Sequence, residues 1–431
     1  MFRRICRTAR SCRPRSAEAR RLLPAERIAP PAWMQAPETV RLLAVLAGGG
    51  AVVRFVGGCV RDAILGRPGR DIDVATPDPP DQVMRLLRAA EVRAIPTGIE
   101  HGTVTAVIGE RHFEITTLRR DVENLGRRAR VAFTDDWAAD AARRDFTINA
   151  LFADPDGTVY DPTGGLADLR AGRVRFVGTP AQRIAEDALR LLRYFRFHAH
   201  YGRGEPDAAA LRACAAAAPS LRNLSGERLA GELLRLLEAP RPAPVLETMA
   251  ACGVLAHLLP EAAGFARLAR LCAIEADRDL ADPLRRLAAL LPADAAIAEA
   301  VAQRLRLSNV ERERLAAMTQ PEPAISPALD PAAIRRALYH LGPDRFGDIV
   351  LLGWSGADPA ADDDWRALLQ RAAGWVKPDF PLRGADVLAL GLAPGPAVGE
   401  LLAGVQRWWE TGDFQADRTA ALAKLRELAG S

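Results

Sequence analysis

Phe55-Val56-Gly57-Gly58-Cys59-Val60-Arg61-Asp62, followed by Asp71-Ile72-Asp73, is the stretch on which the reading of this chain turns. An apolar run (Val52, Val53, Phe55, Val56) ends in a Gly pair, which is how a strand stops and a backbone comes close to a ligand. Arg61 follows on the next predicted helix, near the N-terminus, where oriented N–H groups favour an anion. Asp71 and Asp73 are two apart on another predicted strand, so both carboxylates leave one face. Paired carboxylates on a rigid strand beside a phosphate-sized turn suit Mg²⁺-dependent phosphoryl or nucleotidyl transfer. Either element alone is ordinary, a plain turn or a solvated strand end. Their combination in this order points to an enzyme.

Two later motifs supply what a nucleotide site would need. Arg143-Arg144-Asp145-Phe146-Thr147-Ile148-Asn149-Ala150 sets two guanidiniums beside a carboxylate and an amide. Arginine forks match triphosphate oxygens, and Asp or Asn can bind a ribose hydroxyl; the bland alternative is a helix cap at Asp145 with surface arginines. In Glu186-Asp187-Ala188-Leu189-Arg190-Leu191-Leu192-Arg193-Tyr194-Phe195-Arg196-Phe197, Asp187 and Arg190 are neighbours at i,i+3 on a predicted helix. Cytosine and adenine both offer an amino donor beside a ring-nitrogen acceptor, which a carboxylate and a guanidinium can read together. Guanine and uracil present the opposite pattern. The competing reading is an exposed salt bridge worth about 0.3–0.5 kcal/mol. Arg190, Arg193 and Arg196 wrap around the helix, so Arg196 cannot share the face of Asp187.

Two further elements read as architecture. Asp161-Pro162-Thr163-Gly164-Gly165-Leu166-Ala167-Asp168-Leu169 has the composition of a structured turn. Ser225-Gly226-Glu227-Arg228-Leu229 reads as a Ser-capped helix start that supports the preceding helix.

The order of these motifs resembles the DNA polymerase β-like nucleotidyltransferases, and more narrowly the bacterial-type (class II) tRNA nucleotidyltransferase and poly(A) polymerase family. GG–VRD–DxD, RRDFTINA, the Gly-Gly element, EDxxRxxRxxRF and SxER carry the resemblance strongly over 50–235 and more weakly over 305–420. It implies an α+β fold: a nucleotidyltransferase head, a mixed sheet with helices, followed by an all-α neck, body and tail. The expected bounds are 36–178, 179–240, 241–370 and 371–431, after a disordered Arg-rich extension over 1–35. Asp71 and Asp73 would be catalytic and hold Mg²⁺. Gly58, Arg61 and Arg144 would grip the nucleotide, with Asp145 close to its sugar. Asp187 and Arg190 would read the base, assisted by Arg193 and Arg196. The implied reaction adds CCA to the 3′ end of tRNA from CTP and ATP, releasing pyrophosphate, with the helical remainder measuring acceptor stem and elbow by shape.

The resemblance also bears on finer choices. Residues 119–142, polar around Arg119–Arg128, occupy the place of a flexible loop that helps family members move from C to A addition. Its presence argues against a CC-only enzyme, and A-only addition is the matching alternative. Glu114, on a predicted strand over 112–118, is a candidate third carboxylate or a half-exposed strand residue. The rival on the same scaffold is a poly(A) polymerase; neither a long basic C-terminal tail nor an extra arginine-rich motif after the first strand pair is present to favour it. A non-catalytic RNA-binding module is the alternative of a different class, and the intact Asp pair speaks against it. Gly384-Ala385-Asp386 with Pro394-Gly395-Pro396 resembles a C-terminal element that docks RNA backbone; helix-hairpin packing explains it equally.

Composition bounds these readings. The 431 residues allow two to four domains. Of 58 basic residues only Lys377 and Lys424 are lysines, a bias expected of a high-GC genome. Residues 1–35 hold nine Arg and two Glu, so the net charge of +4 leaves −3 for the rest, and any RNA surface must be local. The same segment also reads as a mitochondrial transit peptide, the alternative to a cytoplasmic protein with an extension. No apolar run reaches membrane-spanning length. Six scattered cysteines without CxxC pairs predict reduced thiols. Cys59 fills a small-residue slot. No His-Asp dyad marks an appended phosphohydrolase. Strands are expected within 50–178, the last at Arg173–Val177, with helices from 180 onward. Pro-rich linkers fall at 239–244 and 321–331, and a capping box starts at Ser308 with Glu311.

Overall fold

A computed structural model describes residues 22–69, 71–123 and 130–430, with side chains of 121–123 and 130–131 left aside. Two compact units meet in sequence between Leu221 and Arg222, inside the stretch expected as neck.

In the first unit, strands β1 (Pro24–Arg27), β2 (Arg54–Val56), β3 (Ile72–Thr76), β4 (Arg93–Gly98), β5 (Thr103–Ile108), β6 (Arg111–Thr117), β9 (Phe152–Ala153) and β10 (Thr158–Tyr160) form one sheet in the order β1-β10-β9-β2-β3-β6-β5-β4. Only the β3–β6 pair is parallel among its described ladders, so the sheet is mixed, as expected. Alternation is clearest on β5, where Val104, Ala106 and Ile108 are buried between half-exposed neighbours. Phe55, Val74, Phe113 and Ile115 complete the central core. Strands β7 (Arg119–Glu123) and β8 (Arg130–Phe133) pair separately. They flank residues 124–129, the tip of the expected mobile loop, which lie outside the described residues.

Helices α1 (Pro37–Ala47), α2 (Gly58–Ile64), α3 (Pro80–Ala89), α4 (Trp137–Ala142), α5 (Gly165–Ala171), α6 (Pro180–Glu186), α7 (Leu189–Tyr201) and α8 (Ala208–Ala217) complete this unit. On α3, Val83, Met84 and Leu87 lie on one face and are buried.

Two expectations are corrected. The extension was expected to be disordered through residue 35, but Pro24–Arg27 adds an edge strand beside β10, and Ile28 N–H donates to Gly157 C=O at 2.9 Å. Trp33 then packs edge-on against Phe55 at 4.9 Å and Met34 is buried, so apolar contacts offset the cost of ordering this segment. Arg173–Val177 forms no strand; a single bridge joins Phe176 to Phe146. Its arginines instead serve Asp168, fully buried, which accepts from Arg173 Nε at 3.1 Å, Arg175 Nε at 2.8 Å and Thr147 Oγ1 at 2.8 Å.

The Gly-Gly turn is architectural, as its composition implied. Asp161 accepts from the backbone N–H of Gly165 (2.8 Å) and Leu166 (2.9 Å), and Gly164 adopts φ +79°. Gly165 lies against Thr147, and a Cβ there would stand 2.1 Å from the Thr147 carbonyl oxygen.

Among its described residues the second unit contains helices and connecting loops and no strand. Glu275 is fully buried between Arg285 and Arg286 (both 2.6 Å), and Asp348 accepts from Arg285 (2.9 Å) and Arg314 (2.7 Å). Arg286 also donates to the carbonyls of Leu237 and Ala239, pinning the first Pro-rich linker to helix Pro283–Leu290. Pro331–Gly356 is broken at Gly342 (φ +73°), ahead of Pro343. The capping box at Ser308 and Glu311 is present. Ser225 occupies an N-cap position but makes no side-chain cap bond to the backbone; Glu227 pairs with Arg306 at 3.0 Å instead. Asp386 accepts from Arg383 N–H at 2.7 Å and pairs with Arg418, beside a small core of Leu382, Val387, Val405 and Leu425.

Gly165→Ala is expected to cost about 1–3 kcal/mol, because backbone occupies the place of the new methyl group. A lowered thermal midpoint of the purified variant checks it; an unchanged midpoint would contradict the close approach.

Candidate active site

Strand β2 ends at Val56, and Gly57 turns the chain into α2 with φ +75° and ψ −126°, a conformation open to glycine. Gly57, rather than Gly58, carries this requirement. Arg144 and Asn149 close over the turn: a Cβ on Gly57 would stand 3.5 Å from Arg144 Nη1 and 3.7 Å from the Asn149 carbonyl oxygen. The phosphate-sized turn and the second motif are therefore one place.

Asp71 precedes β3 and is exposed; Asp73 lies within β3, with buried Ile72 between them facing the core. The parallel register sets Asp73 directly beside Glu114 of β6. Burial, reinforced by the Glu114 and Asp71 charges, pushes the Asp73 carboxyl up to about 6, against the opposing pull of Arg144 and Arg61. These are hard oxygen donors whose crowded charge a divalent cation would relieve. Among the described residues, no group of three or more His, Cys, Asp and Glu side chains forms a closed metal site. An open pair suits an ion shared with phosphates and water better than an enclosed structural one.

Arg61 is held by protein partners. It is buried at 6 % exposure, bonded along one edge to Asp62 (3.0 and 2.9 Å) and through Nη1 to Asn149 Oδ1 at 2.6 Å. Tyr201 donates to Asp62 at 3.0 Å and its ring lies 4.1 Å from the Arg61 guanidinium. Most of the donors expected to grip a nucleotide thus hold the turn together, although Nη2 remains near Gly58. Cys59 is buried, donates weakly to the Val56 and Asp73 carbonyls, and has its thiol pushed up to about 12 by burial. It is a filler, as read.

Asp145 is saturated by protein donors. One oxygen accepts from Phe146 N–H (2.9 Å) and Asn149 Nδ2 (3.2 Å), the other from Arg193 Nε (2.8 Å). Burial alone would raise its pKa, but Arg193 and these bonds hold it below the usual carboxylate range. Asp145 therefore braces α7 rather than standing open to a sugar, and Arg193 is its counter-ion.

Asp187 and Arg190 do not share one helix. Helix α6 ends at Glu186, and Asp187 is extended (φ −151°, ψ 110°) with its side chain accepting from Leu189 N–H at 3.1 Å. Asp competes with helical backbone in this way, which spacing alone does not reveal. Arg190 pairs with Glu186 and donates to the Arg183 carbonyl at 3.1 Å, while Arg183 pairs with Glu186 at 2.8 Å. Arg196 lies 4.5 Å from the Phe197 ring. Sequence reasoning missed Asp62, Glu186 and Asp140 as partners. Glu186 and Asp140 stand at i,i+3 and i,i+4 to the arginines they serve, a spacing that signals a local pair, whereas Asp62 is the immediate neighbour of Arg61 and carries no such signal.

Comparison with known proteins agrees with this geometry. A model described as "Poly A polymerase head domain" matches residues 53–175, and one described as "Probable RNA and SrmB- binding site of polymerase A" matches 205–265. The mouse protein named "CCA tRNA nucleotidyltransferase 1, mitochondrial" is 33 % identical over 393 residues, covering 87 % of this chain and 86 % of its own length. The Levilactobacillus brevis CCA-adding enzyme is 30 % identical over 379 residues, covering 86 % and 93 %. This chain belongs to the CCA-adding tRNA nucleotidyltransferase family. The solved Bacillus stearothermophilus CCA-adding enzyme, in complex with CTP, aligns with a TM-score of 0.72 at 28 % identity, over 91 % of this chain and 97 % of that one. A Thermotoga maritima CCA-adding enzyme complexed with tRNA, 20 % identical with a TM-score of 0.62, shares the fold over 94 % of this chain and 97 % of its own. For a CCA-adding family member the α+β head followed by helices is the expected fold.

A pH dependence follows from Asp73. In chelated protein its carboxyl is expected to titrate near 6, and Glu114→Gln lowers that midpoint by removing a like charge; carboxyl ¹³C NMR reads both. Since the folded pKa lies above the unfolded value, this group favours folding at low pH, and stability falls as pH rises from about 4 to about 6. A midpoint unmoved by Glu114→Gln would contradict the register pairing.

Proposed function

We infer that this protein adds CCA to the 3′ end of tRNA from CTP and ATP, releasing pyrophosphate, as an enzyme of its family. The observation that carries this is the convergence of the Asp71/Asp73 pair, the Gly57–Gly58 turn and Arg144 at one end of the central strands β2 and β3. The reaction is attack by the RNA 3′-hydroxyl on the α-phosphate of the incoming nucleotide. Divalent metal use is general to the family; Mg²⁺, held by Asp71 and Asp73, would lower the pKa of the attacking hydroxyl and neutralise developing charge. Glu114, beside Asp73, is a third carboxylate for the same charge.

In this reading Arg144 donates to the triphosphate over the glycine turn, while Arg61 fixes that turn from beneath. Asp187 and Arg190 read the amino and ring-nitrogen positions of cytosine or adenine. Arg193 holds the Arg190 helix in place through Asp145, and Arg196 assists from the next turn. The head, neck, body and tail subdivision, and recognition of tRNA acceptor stem and elbow by the helical portions, belong to the same proposal. Relatives named for CCA addition along nearly the whole chain favour it over poly(A) synthesis.

Among the described residues no helix is long and apolar enough to cross a membrane. Cytoplasmic residence is our reading, and a reporter fused behind residues 1–35 that enters mitochondria would overturn it.

The deciding experiment supplies each labelled NTP with Mg²⁺ to tRNA ending at the discriminator base. Three additions in the order C, C, A are expected, and an open-ended A ladder would instead indicate a poly(A) polymerase. Asp73→Ala should lower incorporation at least 10³-fold, an order of magnitude set by loss of metal-assisted charge stabilisation, while tRNA binding persists. Asp187→Ala should admit UTP or GTP; intact discrimination would remove its base-reading role.

A further inference from the structure

Asp140 belongs to none of the motif positions read for function, yet its carboxylate is fully buried and serves two motif arginines. It sits on α4, whose start is fixed by Asp136 accepting from Ala138 and Ala139 N–H. One Asp140 oxygen accepts from Arg144 Nε (3.2 Å) and Nη2 (2.9 Å). The other accepts from Arg143 Nε (2.8 Å) and from the Arg119 backbone N–H (3.2 Å), at the start of β7. Burial alone would raise the Asp140 pKa, but Arg144 and Arg143 outweigh it, so the group stays ionised.

The consequence lies in which Arg144 donors remain. Asp140 occupies the Nε–Nη2 edge, leaving Nη1, the atom that approaches the Gly57 turn. An unheld arginine samples many rotamers, and ordering it on binding would weaken nucleotide affinity. Asp140 pairs with both adjacent arginines, and its single negative charge leaves the three groups together with a net positive charge toward phosphate.

We propose that Asp140 is a positioning residue for nucleotide binding, holding Arg144 so that its free edge faces the triphosphate over the glycine turn. The inference rests on the nucleotidyltransferase reading above. Because the contact concerns phosphate and not base, it acts equally on CTP and ATP.

The test measures Kd for CTP and for ATP by calorimetry with Mg²⁺, and kcat and KM for each on tRNA. Asp140→Asn, which keeps the shape but offers one acceptor oxygen, is expected to raise both Kd values about tenfold, as loss of a charge-assisted pair would. KM should rise with them, kcat should change less, and tRNA affinity and base preference should hold. In an Arg144→Gln background the same change should add less than about twofold, the non-additivity of residues acting as a unit. Unchanged Kd, an effect confined to one nucleotide, or a full additional loss in the Arg144→Gln background would overturn the proposal. Should Asp140→Asn not fold, Asp140→Asn with Arg143→Gln removes one cation with the anion and carries the same measurements. Wild-type protein that binds neither nucleotide would sink the nucleotidyltransferase reading, and this inference with it.

Discussion

The buried carboxylate of Asp145 joins the two parts of the candidate site. Its acceptors are divided between Asn149, within its own motif, and Arg193 on α7. Asn149 in turn accepts from Arg61, so an unbroken chain runs from the glycine turn through Asp145 to the proposed selecting helix. Each member is buried or half-buried, where an unpaired charge would cost several kcal/mol. Loss of any one therefore strands the others, and the chain behaves as a unit. Aromatic packing reinforces the same junction: Phe146 lies 4.8 Å from Phe176 and 5.1 Å from Phe197.

Opposed electrostatics set the rest of the site. Asp73 is crowded by Glu114 and Asp71 and partly relieved by Arg144 and Arg61. The arginines are in turn committed to Asp140 and Asp62, so they do not collapse onto the Asp73 pair. A site that kept its arginines unpaired would close its own carboxylates in salt bridges. Counter-ions placed behind the arginines leave Asp73 under-compensated, which is the condition under which it would bind a cation. The stability forgone at Asp73 is thus tied to the proposed chemistry.

Much of this was legible in the sequence because the informative features were local. A glycine pair after an apolar run, an aspartate pair and an arginine doublet each state their chemistry within a few residues, although only Asp73 of the aspartate pair lies within a strand. The mixed sheet with helices was expected from short β-rich runs that alternate with helical segments, together with the family resemblance. What stayed hidden needed partners distant along the chain. That Asn149, 88 residues later, accepts from Arg61 Nη1 is invisible in the local motif. Asp145 reads as open until Arg193 reaches it across 48 residues. Order in residues 22–35 depends on Trp33 meeting Phe55 and Ile28 meeting Gly157, contacts no local pattern announces. Arg173–Val177 has strand-like composition, but Asp168 claims its arginines first.

The break at Asp187 changes how base reading would work. On a continuous helix, Asp187 and Arg190 would be bound to one rise and one angle, and would meet each other before meeting a base. Ending α6 at Glu186 removes that constraint. Asp187 takes an extended backbone, held by Leu189 N–H, while Arg190 is steadied by Glu186 and the Arg183 carbonyl from the preceding helix. The Asp187 carboxylate bonds the start of α7 while the Arg190 guanidinium is tied back to α6, and Arg190 N–H donates to the Asp187 carbonyl at 3.0 Å. The same motif that reads as an intrahelical salt bridge in sequence is, in the fold, a helix break with a local bond at Asp187 and a brace from Glu186 to Arg190.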